Sequence, residues 1–150
     1  KLNTIFNSRK FLLVSGIIFS LLTFLYLIFR KRINKYFKIK RINSETGIFN
    51  REFDQILSNY QNTNESKFLE NLLLLWKRFM EKLSKKPYSS STTNEISIFN
   101  KNDNIISVLK ELDKCIYSNT ENTLDINKIN ILREESIKLS TEYINQLKNE

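Results

Sequence analysis

The sequence predicts an all-α protein, with one N-terminal transmembrane helix followed by a small cytoplasmic bundle of about five helices. Three observations carry this reading. Phe11–Phe29 is a run of 19 residues without a charge. Beyond it, apolar residues recur mostly at helical spacing. Residues 42–150 contain only Gly47 and Pro87 as strong helix breakers.

The apolar run, FLLVSGIIFSLLTFLYLIF, spans about 28 Å at ~1.5 Å per residue, close to the ~30 Å hydrocarbon core of a bilayer. Fourteen of its residues are Leu, Ile, Val or Phe. Their insertion sums to about −4 to −8 kcal/mol, against minor costs from Ser15, Gly16, Ser20 and Thr23. A buried core helix would show a polar face, and none is visible. A cleaved signal would end in small residues, whereas this run ends in Phe29-Arg30-Lys31-Arg32.

Orientation follows from the flanks. Lys1, Arg9 and Lys10 precede the run, and Arg30, Lys31, Arg32, Lys35, Lys38, Lys40 and Arg41 follow it. The positive-inside rule then puts the C-terminal side in the cytoplasm and anchors the chain in the inner membrane. Residues 1–10 form an extracytoplasmic stub, 11–29 the span, 30–43 a basic juxtamembrane segment and 44–150 the cytoplasmic domain. In the juxtamembrane segment Ile33, Tyr36, Phe37 and Ile39 interleave with the cations. Two readings stand side by side: an amphipathic helix on anionic lipid, or a stop-transfer tail that simply continues the helix. In both, the seven cations Arg30–Arg41 face lipid headgroups.

Charge is divided as sharply as hydropathy. The chain carries 24 Lys+Arg against 16 Asp+Glu, net +8. Residues 1–41 hold ten cations and no acid, so the remainder is slightly acidic at −2. A nucleic-acid-binding domain would carry its cations on the folded body, so this class is disfavoured. The absence of His excludes Ser-His-Asp and Cys-His nucleophiles and the usual zinc sites. Two glycines exclude a P-loop or a dinucleotide fingerprint, and the lone Cys115 excludes an intrachain disulfide. No cofactor, metal or small-molecule substrate is expected, and no catalytic group.

The domain reads as five helices. Phe49, Phe53, Ile56, Leu57 and Tyr60 share one face of the first, and QNTNES (61–66) breaks the chain with capping residue types. The second, Ser66–Ser84, carries Phe68, Leu69, Leu72, Leu75, Trp76, Phe79, Met80 and Leu83. Leu73 and Leu74 widen that stripe, which predicts burial on more than one side and the centre of the bundle. Pro87 stops this helix, and Thr92-x-x-Glu95 fits a capping box before Ile96, Ile98 and Phe99 in a short third. Asn102 or Asp103 caps a fourth, with Ile105, Leu109, Leu112 and Ile116 inward. After a loop at 118–125 the last, about Ile126–Lys148, turns Ile126, Ile129, Leu132, Ile137, Tyr143, Ile144 and Leu147 to the core.

Chemistry-bearing residues are sparse. Trp76 and Cys115 read as core, and Glu111 and Asp113, two apart, do not share a helix face. At the turn after the second helix, Tyr88 has two readings. It packs back on the bundle with its hydroxyl toward water, or it forms an exposed aromatic and basic patch for a protein partner with Lys85, Lys86, Ser89 and Ser90.

The stretches WKRFMEKLSKKPYSSSTTNEI (76–96) and VLKELDKCIYSN (108–119) resemble the cytoplasmic helical region of BatD-type proteins. They are equally similar to the short single-pass proteins encoded beside those in MoxR ATPase operons. The matching features are Trp76, Phe79 and Leu83; Pro87, Tyr88, Ser89 and Ser90; Thr93 and Glu95; and Leu112, Asp113, Tyr117 and Ser118. The resemblance implies a membrane-anchored accessory protein, not an enzyme, whose partners are a MoxR-type AAA+ ATPase and von Willebrand A (VWA)-domain proteins. The β-sandwich domains of larger members have no counterpart in these 150 residues. The competing expectation is a structural accessory subunit of a larger membrane complex, such as an organellar respiratory assembly.

Overall fold

The computed structural model of the chain describes residues 8–63, 65–118 and 124–149, and among them every regular element is helical. The helices are α1 (Ser8–Thr63), α2 (Ser66–Ser84), α3 (Thr93–Phe99), α4 (Asp103–Tyr117) and α5 (Ile126–Asn149). Residues 1–7 of the predicted stub and 119–123 of the predicted loop lie outside the described residues. The chain divides into two compact units, the first ending at Lys38 and the second beginning at Ile39.

One count differs from expectation. The span, the juxtamembrane segment and the first bundle helix are not separate elements but parts of α1. No proline interrupts residues 8–63, and Gly47, the candidate breaker beyond the span, keeps a negative φ and stays within the helix. The juxtamembrane segment continues this helix, a geometry that both readings of it share.

In the first unit the apolar run is uncovered. Each large apolar side chain from Phe11 to Phe29 is 45–73% exposed. This stretch is a helix long and apolar enough to cross a membrane.

The second unit is built on α4, against which α2, α3 and α5 all pack. The centre is therefore shared: α2 supplies the most core side chains, but α4 is the common surface. Leu69, Leu72, Leu73, Trp76, Phe79, Met80 and Leu83 of α2 are buried, with Ile105, Val108, Leu109 and Leu112 of α4. Phe49 and Phe53 complete the core, and the Phe49 ring stacks on Phe79 at 4.3 Å between centroids. Leu74, at 47%, stays exposed.

The helix ends follow local chemistry. Lys85, in the left-handed region at φ 59°, terminates α2 through its N–H to the Glu81 carbonyl, and Pro87 follows where no helix could resume. At α3, Thr92 Oγ1 accepts from the Glu95 N–H at 3.3 Å, and Glu95 Oε2 accepts from the Thr92 N–H at 2.7 Å. This is the predicted capping box. Asn102 caps α4, its Oδ1 accepting from the Ile105 N–H at 3.2 Å.

The inner face of α5 is not the predicted one throughout. Ile129 and Leu132 are buried as expected, but the face continues through Ser136 and Ser140, while Tyr143 is 39% exposed. The reason is polar. The fully buried Trp76 indole donates from Nε1 to Ser136 Oγ at 2.8 Å, and Ser136 Oγ donates to the Leu132 carbonyl at 2.6 Å. An apolar side chain at position 136 would leave the indole N–H without a partner in the core.

Candidate functional site

Two surfaces follow from the residues: the cationic stretch of α1 and the turn between α2 and α3. Arg30, Lys31, Arg32, Lys38, Lys40 and Arg41 are exposed and Lys35 is half-buried. No acid falls between Lys1 and Ser44, so the local field is positive throughout. Ile33, Tyr36 and Phe37 lie exposed among the cations, and the Tyr36 and Phe37 rings meet edge to face at 6.0 Å.

The turn contradicts one of the two readings of Tyr88. Its side chain is 3% exposed, with its ring edge-on to Trp76 at 5.5 Å and to Phe99 at 5.0 Å. Burial raises the phenol pKa above its ordinary value, only partly offset by hydrogen bonding with Asn100 and Ser84. Tyr88 is thus a core residue that closes the end of α2, and the exposed aromatic patch does not exist. Aromatic edge-to-face pairing in a dry site is worth more than exposure at a turn.

The neighbours of Tyr88 divide between structural bonds and open surface. Lys86 is exposed, yet its Nζ donates to the Phe99 carbonyl at 2.9 Å and lies 5.5 Å from the Phe99 ring centroid. The Ser89 N–H donates to Glu81 Oε2 at 2.8 Å, and hydrogen bonds from Ser89 hold the Glu81 carboxyl below its ordinary pKa. Ser90 Oγ donates to the Pro87 carbonyl at 3.4 Å. Lys85, Ser89 and Ser90 remain on the surface.

Sequence reasoning missed two residues, Arg133 and Glu135, and one hydrogen bond, that of Tyr60, which organise the second unit. Arg133 of α5 donates from Nη1 to Asp54 Oδ1 at 2.7 Å and from Nε to Asn50 Oδ1 at 3.1 Å, and its guanidinium lies 5.6 Å from the Phe53 ring centroid. Glu135 accepts from Asn102 Nδ2 at 2.8 Å, which lowers its pKa and braces the α4 cap. Tyr60 Oη, in the core, accepts from the Leu124 N–H at 3.0 Å. All three join segments more than 30 residues apart, so no local spacing signals them.

The remaining candidates carry no reactive geometry. Glu111 pairs with Lys128 at 2.8 Å. Cys115 is half-buried against the core, and burial, with the nearby Glu111 charge, pushes its thiol pKa up, away from the reactive thiolate. Among the described residues no group of three His, Cys, Asp or Glu side chains converges as metal ligands would. A groove of about 400 Å³ runs between α1 and α2, with Phe49, Ile56 and Phe79 in its walls and Ile48 and Leu74 exposed beside them. The Lys82–Glu45 pair, at 2.6 Å, lines it as well.

Comparison of the chain with protein-family models, with curated proteins and with solved structures returns no match. None of these comparisons links the chain to BatD-type proteins or to MoxR/VWA operons.

Proposed function

We propose that this chain is a non-enzymatic adaptor anchored in the inner membrane, whose helical unit holds protein partners at the cytoplasmic surface. The observation that carries this is the uncovered run Phe11–Phe29, whose large apolar side chains are all at least 45% exposed, beside a second unit with a complete core of its own. Exposed apolar surface on that scale is stable in hydrocarbon and costly in water, at about 25 cal/mol per Å². The second unit needs nothing from the run to bury its own core, so the run is available for the bilayer. The excess of cations after the run supports a cytoplasmic second unit.

The carboxylates Glu81, Glu95, Glu111 and Glu135 are engaged in turns, caps and an ion pair, which favours binding over catalysis. The partners we propose are those the resemblance implies, a MoxR-type AAA+ ATPase and VWA-domain membrane proteins. The exposed Leu74 and Lys85 are suitable reporters of such contacts.

Photo-crosslinkers placed at Leu74 and at Lys85 in the full chain, in its native membrane, test this. Crosslinks to an ATPase of that type or to a VWA protein are expected. Crosslinks confined to subunits of one stable membrane complex would replace the adaptor reading with the structural-subunit one. Protease added to the outside of intact cells should leave the second unit whole, and its digestion there would reverse the orientation.

A further inference from the structure

Past the uncharged run, α1 carries apolar side chains that stay exposed among the described residues. Phe29, Ile33, Tyr36 and Phe37 are 45%, 42%, 63% and 59% exposed. Their spacing of i, i+4, i+7 and i+8 places all four on one face of the helix. At about 100° per residue, Arg30 and Arg32 border that stripe on its two sides, while Lys31 and Lys38 occupy the opposite face. Lys40 falls in line with the stripe one turn past Tyr36, where it ends the apolar face. A face made for water would not carry two aromatic rings, and a face made for hydrocarbon would not be edged by two guanidinium groups. An apolar, aromatic stripe edged by cations fits the boundary between acyl chains and anionic headgroups.

The axial distances add a constraint. The uncharged run matches the hydrocarbon core in length, so Phe29 ends near its edge. Tyr36 and Phe37 lie seven and eight residues further along, about 10–12 Å at ~1.5 Å per residue. The headgroup layer of one leaflet is only about 5–8 Å deep, so an upright helix would carry both rings into water. On the stripe face, however, the apolar stretch runs on to Phe37, about 40 Å from Phe11 at ~1.5 Å per residue. A tilt toward that face, within the roughly 0–40° that membrane helices adopt, accommodates this excess over the hydrocarbon core and lowers the rings into the headgroup layer.

Resting on the span proposed above, we infer that α1 crosses the bilayer tilted, with its Phe29–Ile33–Tyr36–Phe37 face turned down onto a leaflet of anionic phospholipid. The aromatic rings lie at the acyl–headgroup boundary, and Arg30 and Arg32 contact lipid phosphates on either side. The basic segment is thus a lipid-binding surface with a defined rotation about the helix axis, rather than a diffuse positive charge. Its ligand is the anionic headgroup.

Spin labels on the full chain test this, in a Cys115→Ser background and in vesicles of phosphatidylcholine with or without phosphatidylglycerol. Single cysteines at Ser20, Lys31, Ile33, Phe37 and Lys38 report depth through relaxation by oxygen and by a water-soluble nickel chelate. With phosphatidylglycerol present, labels at 33 and 37 should be several-fold less accessible to the chelate than labels at 31 and 38. That difference should shrink in phosphatidylcholine alone and in the Arg30→Glu/Arg32→Glu variant. Equal accessibility at all four sites, with position 20 deep, overturns the tilted face and leaves the span standing. Chelate access at position 20 overturns the span itself. A difference indifferent to phosphatidylglycerol overturns the anionic ligand. Shielding of 33 and 37 by added RNA in phosphatidylcholine vesicles would make the stripe a nucleic-acid face instead.

Discussion

Trp76 shows how much one side chain can demand of its surroundings. Its ring is fully buried, and its N–H reaches a serine sixty residues away, which in turn is held by the Leu132 carbonyl. Trp76→Ala opens a cavity and should cost about 3–5 kcal/mol in urea unfolding of the full chain in detergent. Ser136→Ala is the more specific probe. It strands a buried N–H and should cost about 1–3 kcal/mol. In a Trp76→Phe background the same serine substitution should cost distinctly less, since no indole donor is left to strand. Equal costs in the two backgrounds would mean that the bond contributes nothing to stability. Trp76 was legible as core from its place in the α2 stripe. Ser136 was not, because a serine in a helix ordinarily reads as solvent-facing and only the approach of α2 to α5 gives it a partner.

At the scale of elements, the short α3 depends on its ends. A helix of seven residues has little intrinsic stability, so its capping box and the contacts of Ile96 decide whether it forms. Hydrogen bonds from Thr92 hold Glu95 below its ordinary carboxyl pKa of 4.5, and those from Asn102 do the same for Glu135. A carboxyl whose folded pKa is depressed stabilises the fold above the unfolded value and loses that contribution as the pH falls through the folded one. The melting temperature of the second unit should therefore be flat from neutral pH to about 5.5 and decline below about 4.5. In the Glu95→Gln variant, which keeps an acceptor but does not titrate, the decline should be shallower. A thermal melt series across pH checks both, and an identical slope in the two proteins would remove Glu95 from the account. The box and the Asn102 cap were readable from spacing, because a cap is a local bond. The merging of three expected segments into α1 was also a local matter, since no proline separates them and Gly47 keeps a helical backbone, but a change from exposed apolar residues to core-facing ones looks like a boundary in sequence.

For the whole molecule, the division at Lys38/Ile39 predicts what can be separated. Residues 39–150 should be soluble without the span and fold cooperatively as a mainly helical monomer, with stability in the ~5–15 kcal/mol range usual for small domains. Ile42 packs against the core, so a chain starting at residue 44 should melt at a lower temperature than one starting at 39. Circular dichroism and sedimentation of the two fragments measure this. Aggregation of both, or a spectrum dominated by strand, would show that the second unit does not stand alone.

What the sequence determined by itself was whatever depends on neighbours along the chain. The uncharged run, the asymmetry of its flanking cations, the period of the apolar stripes and the caps of α3 and α4 all follow from interactions within a few residues. Tertiary structure decided what depends on which faces meet. It buried Tyr88 between Trp76 and Phe99, where the turn alone allowed either a core ring or an exposed one. It made α4 the helix on which α2, α3 and α5 pack, although α2 has the richer apolar stripe. It set Arg133 on Asp54 and Phe53, and turned serines rather than Tyr143 and Leu147 into the inner face of α5. In each case the side chain's environment is supplied by residues far away in sequence, and its hydrogen-bonding needs are met only once those residues arrive.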